Sequence, residues 1–433
     1  MTALKVSLFI ILLLGVVPYT DADIVAFTKG RMSELHLDHG KILTFDKLIT
    51  NISANFDSSG RFVCYVAGLY AFHFYGVAQN NGFILLELYK NNQSVVSLYG
   101  RSPNDNADAG NSVLLNLVKN DVVYIKANDF LDTAIFGAVD KVYTTFTGVF
   151  LSGENTVDAF SVGLSQSVPL TIGEQVIYDQ LITVSDHSDY NPTTGTFTAR
   201  SHGIYIFHYY AVAPTNQELL LDLYHNDHYI NSAFGNTPNE NADAGNTVII
   251  QLQTSDKISV RSRCDSGVFS EKSSHQVYTT FSGSKLFPAN SEINDIAFSV
   301  GLTSHHTQSQ GHTVIFDKVF INNGASFDTK HGTFTAKQSG VYVFHYHALS
   351  LQDKAIWIDL YHNSIYINSI YGHVPYGNVT GSNTACLKLQ QGDAVFLDIK
   401  SHDTALYGTT DNIYCTFSGY ILSSLSTNPA IFG

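Results

Sequence analysis

Cysteine is scarce in this chain: four among 433 residues, Cys64, Cys264, Cys386 and Cys415, at spacings that show no period. A small secreted scaffold held by disulfides would repeat its cysteines with its structural units, so that class is excluded and stability must come from packed cores. Cys386 runs out of phase with Leu387 and Leu389 while Cys415 runs in phase with Phe417, which places the two on opposite faces of a sheet rather than in a bridge. Charge is also sparse, at 14% of residues against roughly a quarter in ordinary soluble domains. Its balance is acidic, with 23 basic and 37 acidic side chains and no basic run, so nucleic acid and anionic membrane surfaces are poor partners. Only one long hydrophobic run occurs, Val6 to Val17. Preceded by Lys5 and broken by Pro18, it is too short to span a bilayer and reads as a secretory leader over residues 1–22, cleaved after about Ala22. The mature protein is therefore expected to be extracellular, without membrane insertion. No Gly-X-Y run is present, which excludes a collagen stalk. Gly-x-Ser-x-Gly, His-Glu-x-x-His, a phosphate loop and Cys-x-x-Cys are all missing, and no Ser, His and Asp are spaced as a triad, so no enzyme is expected.

Aromatic residues are what the chain has in plenty, with 25 Tyr and 28 Phe. Three stretches organise them: Gly68-Leu69-Tyr70-Ala71-Phe72-His73, Gly203-Ile204-Tyr205-Ile206-Phe207-His208 and Gly340-Val341-Tyr342-Val343-Phe344-His345. Their period of two is that of a strand with one buried aromatic face, and the leading glycine suits a turn or bulge. Copies start 135 and 137 residues apart, the length of a whole domain rather than of a solenoid repeat. Three units follow, at residues 24–152, 158–287 and 295–423, joined by short polar linkers. Each opens on Ala-Phe (Ala26, Ala159, Ala297) and closes on Phe-x-Gly: Phe146 with Gly148, Phe281 with Gly283, Phe417 with Gly419. Eight to ten short strands per unit, separated by turn signals, predict an all-β antiparallel sandwich or jelly roll.

The Gly-x-Tyr-x-Phe core, the segment from Gly110 to Asp121 and the closing Phe-x-Gly together resemble the globular domain of complement C1q, over about nine-tenths of the chain. The resemblance implies a ten-stranded jelly roll of the tumour necrosis factor type. It also implies trimeric assembly and ligand recognition by loops and outer surfaces. Tandem copies without a stalk are similar to invertebrate C1q-domain proteins, several of which are soluble lectins or pattern-recognition molecules of innate immunity. In such trimers the loop matching Asn-Ala-Asp-Ala-Gly-Asn (from Asn106 and from Asn241) sets an aspartate near a calcium site at the apex. Asp108 and Asp243 fall on that position; the third unit has Asn378-Val379-Thr380 instead, and a second family aspartate is replaced by Gly100, Gly235 and Gly372. The alternative is a plain turn whose Asn and Asp cap their own backbone. Calcium is accordingly the one cofactor candidate.

Because Tyr70 and Phe72 point into the core, His73 points away from it, as do His208 and His345. In a C1q-like trimer that face looks at the threefold axis, so one chain forming its own trimer would gather three imidazoles there. They would serve either as a metal-binding ring or as hydrogen-bond partners of tyrosines across the interface; domain-by-domain homotrimers are the competing architecture. Other histidines lie close in sequence (His305, His306 and His312; His225 and His228; His345 and His347) without closed-site spacing. Asn51, Asn92 and Asn378 head glycosylation sequons, and Trp357 reads as half-buried sheet. The function expected is secreted, lectin-like or pattern-recognition binding of glycans, microbial surfaces or extracellular proteins. The alternative is a matrix or metal-handling structural protein.

Overall fold

The computed structural model describes residues 24–424, apart from 102–104, 154–156, 186–187, 237–239, 272–275, 289–294, 308–309, 325 and 374–376. The leader segment and most of both linkers lie outside the described residues. All regular structure described is antiparallel strand, and no described helix is long and apolar enough to cross a membrane. In the first unit one five-stranded sheet runs Lys47–Ile52, Ala26–Arg31, Thr144–Ser152, Gly68–Val77, Asp108–Leu117. A second five-stranded sheet packs on it, in the order Asn55–Phe56, Phe62–Val63, Val122–Ala127, Phe83–Lys90, Gln93–Arg101. The same two orders recur in the second and third units, so the chain is three tandem jelly rolls.

The aromatic alternation makes the cores. Phe72, Phe207, Phe344, Phe281 and Phe417 are fully buried between their sheets and Phe146 nearly so, with Tyr70, Tyr205 and Tyr342 beside them. The glycine of Phe-x-Gly is there for close approach. Gly148 pairs with Phe72, Gly283 with Phe207 and Gly419 with Phe344, and a Cβ on each would fall 2.4–2.9 Å from two Phe rings. The leading glycine meets the expected irregularity, since the register against the closing strand shifts beside Gly68, Gly203 and Gly340. Cys386 lies on the axial face and Cys415 in the third core, and all four cysteines are free.

The outward face of each first sheet meets its two counterparts. Ala26, Leu69, Ala71, Ile204, Ile206, Val341 and Val343 join one apolar cluster made from all three units. Backbone bonds close the ring: Ser97 N–H donates to Val277 O (2.8 Å), Ser232 to Ile413 (2.9 Å) and Ser369 to Val142 (2.8 Å). Unit one thereby binds two, two binds three, and three returns to one.

Asn111, Asn246 and Asn383 repeat this clasp with side chains. Each amide donates to a tyrosine carbonyl of the next unit (Tyr278, Tyr414, Tyr143; 3.0–3.2 Å) and accepts at 2.6 Å from a threonine hydroxyl there (Thr280, Thr416, Thr145). Asn111 and Asn246 were expected to lie in a polar loop. All three sit in strands beginning at Asp108, Asp243 and Thr380, because pairing across the seam overrides their local turn preference.

Candidate functional site: the pseudo-threefold axis and its seams

Parity along the strands decides what reaches the axis. His73, His208 and His345 come from equivalent central strands and meet there, with ring centroids 4.8–5.0 Å apart and one nitrogen from each within 4.8 Å of the others. All three are buried. Two of the rings are held from the neighbouring strand rather than by a tyrosine across the interface. His208 Nδ1 bonds Thr247 Oγ1 and His345 Nδ1 bonds Thr384 Oγ1, both at 2.9 Å. The first unit has Ser112 at that register position, one methyl short, and there both His73 nitrogens and the Ser112 hydroxyl lack a partner among the described residues. Burial drives the His73 pKa down to about 3, and burial with neighbouring imidazoles drives His208 and His345 well below the ordinary value. The rings are neutral at any physiological pH.

Two residues further along the strands stand Tyr75, Tyr210 and His347. The two phenols bond each other at 2.7 Å, Tyr75 also bonds Thr384 Oγ1 at 3.0 Å, and His347 Nε2 bonds Thr247 Oγ1 at 2.8 Å.

Asp108 and Asp243 occupy the end of the axis, with Thr380 at the third position. Asp108 Oδ1 accepts from Ser382 N–H at 3.1 Å while its Oδ2 is buried without a partner, and Asp243 Oδ2 accepts from Gly110 N–H at 3.3 Å. Burial raises both pKa values well above the ordinary carboxyl range, and for Asp243 the charge of Asp108 adds to it. Neither caps its own turn. Together with Gly100, Gly235 and Asn378 they line a cavity of about 30 Å³. That is room for an ion and little else. Two carboxylates, one with a buried oxygen that has no partner among the described residues, are the donors a hard cation such as calcium wants, although they are few for a tight site and Arg101 also lines the cavity.

Asn378 is the third member of a structural set. Its amide donates to Ser350 O (2.7 Å) as those of Asn106 and Asn241 donate to Ala78 O and Ala213 O (both 2.8 Å). Asn51 and Asn92, by contrast, are exposed. Trp357 is half-buried, edge-on to Tyr371. His305 accepts from Gly408 N–H, His225 bonds Asp256 and His228 is exposed, so these sequence neighbours form no joint ligand set. An exposed group that sequence spacing did not reveal, His36, Asp38 and Asp132, is the other metal-capable cluster among the described residues.

The seams carry a feature that period and spacing also missed. Tyr99, Phe130, Phe269 and Tyr278 line a groove of about 370 Å³ between the first two units, with Asn128, Gln276 and Glu271 at its edge. Beneath it Glu87 fixes two amides: Asn128 and Gln276 both donate to its Oε1 at 2.8 Å. Phe130 is 80% exposed, an unusual cost for a phenylalanine without a partner.

The C1q domain family model matches residues 26–151, 159–285 and 297–422. The chain belongs to the C1q domain family. Domains of this family are ligand-binding modules rather than enzymes. Among curated proteins a C1q domain here is similar to Caprin-2 of Danio rerio, 37% identical over 133 residues, covering 29% of this chain and 14% of that protein. Another relative is Complement C1q tumor necrosis factor-related protein 6 of Mus musculus, 28% identical over 131 residues, 30% of this chain and 50% of that one. The chain thus spans half or less of the curated relatives it matches. Solved structures include the globular domain of zebrafish Complement 1qA (23% identity, 30% of this chain and 99% of that one, TM-score 0.26) and Eiger TNF from S. frugiperda (11%, 31% and 96%, TM-score 0.27).

Proposed function

We propose that this protein is a secreted recognition head, a pseudo-trimer of C1q domains within one chain, that binds glycans through the seam between its first two domains. The observation that carries this reading is the seam groove. Aromatic faces at Tyr99, Phe130 and Phe269 offer stacking surfaces for the apolar faces of sugar rings, while the exposed carboxylate of Glu271 offers an acceptor for hydroxyls. Asp108 and Asp243 add a weak calcium site at the apex. Extracellular proteins or microbial surfaces bearing such glycans are the partners in view.

The test is a glycan array probed with the full chain, with and without calcium, beside the Phe130→Ala variant. Saturable binding by the wild type that falls at least tenfold in the variant supports the reading. No saturable glycan under either condition, or equal binding by the variant, refutes it.

A further inference from the structure

We infer that His73, His208 and His345 form a buried three-imidazole site on the axis that holds one late first-row transition cation, with zinc as the reference metal. The geometry is that of a ligand set. Three nitrogens from three domains lie within 4.8 Å of one another, which puts each at most about 2.8 Å from their common centre. An inward shift of about 0.7 Å per ring reaches the zinc–nitrogen distance of roughly 2.0–2.1 Å. The rings come from the centre of rigid sheets, so they present themselves together once the three domains have closed.

The unmet bonding is the second, independent observation. Two rings are oriented by threonine hydroxyls at Nδ1, the outer-shell bond that fixes tautomer and aim in imidazole–metal sites. His345 Nε2 has no partner, and neither nitrogen of His73 has one, although all are fully buried. Buried imidazole nitrogens are normally hydrogen-bonded, and no hydrogen bond among the described residues satisfies these. A cation at the centre takes all three lone pairs at once. Imidazole nitrogen selects the zinc, nickel and copper class; calcium, which wants oxygen, is discriminated against here and is served by the apex carboxylates instead. On one side the site is closed by Ala71, Ile206 and Val343 and on the other by Tyr75, Tyr210 and His347, so metal enters as the domains assemble or during transient opening.

Full-length protein, unfolded in chelator and refolded with Zn²⁺ or Co²⁺, should retain one metal per chain after desalting, read by elemental mass spectrometry. The cobalt form should show the visible bands of nitrogen-ligated Co²⁺. His208→Gln should cut retention at least tenfold. Since that variant may fold poorly, Thr247→Val keeps every ligand while removing an orienting hydroxyl, and it should weaken zinc about 10–100-fold. His225→Gln should leave zinc unchanged, and excess Ca²⁺ should not displace it. Less than a tenth of a zinc per wild-type chain, or retention equal in His208→Gln, overturns the assignment. Either result leaves the glycan reading untouched.

Discussion

Asp108 buries a carboxylate oxygen that meets no donor among the described residues, and its charge disfavours ionisation of Asp243. Asp108→Asn keeps the shape and the acceptor toward Ser382, and removes the ionisable proton site. The sign follows from linkage. A carboxyl whose folded pKa is raised binds more protons folded than unfolded, so its burden on stability is absent below about pH 3.9 and grows as pH rises. A carboxyl carried neutral into the fold at pH 7 costs at most about 1.36 × 3.1, or roughly 4 kcal/mol, and about 1.5 kcal/mol at pH 5. In EDTA the variant is therefore expected to be more stable than wild type in urea titrations, by up to about 4 kcal/mol at pH 7 and less at pH 5. Calcium at 100 times its dissociation constant should narrow the gap by about 2.7 kcal/mol, because the wild type gains from binding. A variant less stable than wild type in EDTA at pH 7, or a gain that does not shrink with acid, would refute the reasoning.

Phe344→Ala opens a cavity in the third core and should cost about 3–5 kcal/mol by denaturant unfolding; a loss under 1 kcal/mol contradicts the packing. Lys141 reaches from the first domain to the buried Asp359 of the third at 2.6 Å, so Lys141→Ala, leaving that charge unpaired, should cost about 3–5 kcal/mol. A change below 1 kcal/mol there would mean the pair is open to water. His73, His208, His345 and His347 have folded pKa values below their unfolded ones, so their contribution is complete above about pH 6.5 and is lost as pH falls. In metal-free Asp108→Asn/Asp243→Asn protein, which lacks the opposing apex slope, stability should drop by about 5 kcal/mol from pH 6 to pH 5; a flat profile contradicts the burial. Light scattering should give one chain, near 47.5 kDa before any glycan, whereas three times that mass would refute intramolecular closure.

Strand parity was enough to read the sandwich and the axial histidines. Once Tyr70 and Phe72 are assigned to the core, His73 has one remaining direction, and three copies in one chain send it to one place. What parity cannot give is the neighbour. His208 and Thr247 are 39 residues apart, and only the register of two long strands makes them partners, so the expected tyrosine contacts proved to be threonine contacts. The asparagine clasp was misread for the opposite reason: Asn111 has a strong local preference for turns, and the pull that defeats it comes from another domain. The aromatic seam went unnoticed because Tyr99 and Tyr278, adjacent in space, belong to different repeats, the first on a strand and the second just before one.

The three axial registers are encoded separately, and this has an evolutionary consequence. In an assembly of identical chains every axial substitution arrives three times over, so a bulky or charged residue is either accommodated in triplicate or rejected. Here a single codon alters one-third of a layer. The axis already bears such marks: a histidine where its two counterparts are tyrosines, a threonine beside two aspartates, a serine beside two threonines. Each layer can thus be tuned in steps a symmetric trimer cannot take, and a binding site of three unlike walls becomes reachable one mutation at a time.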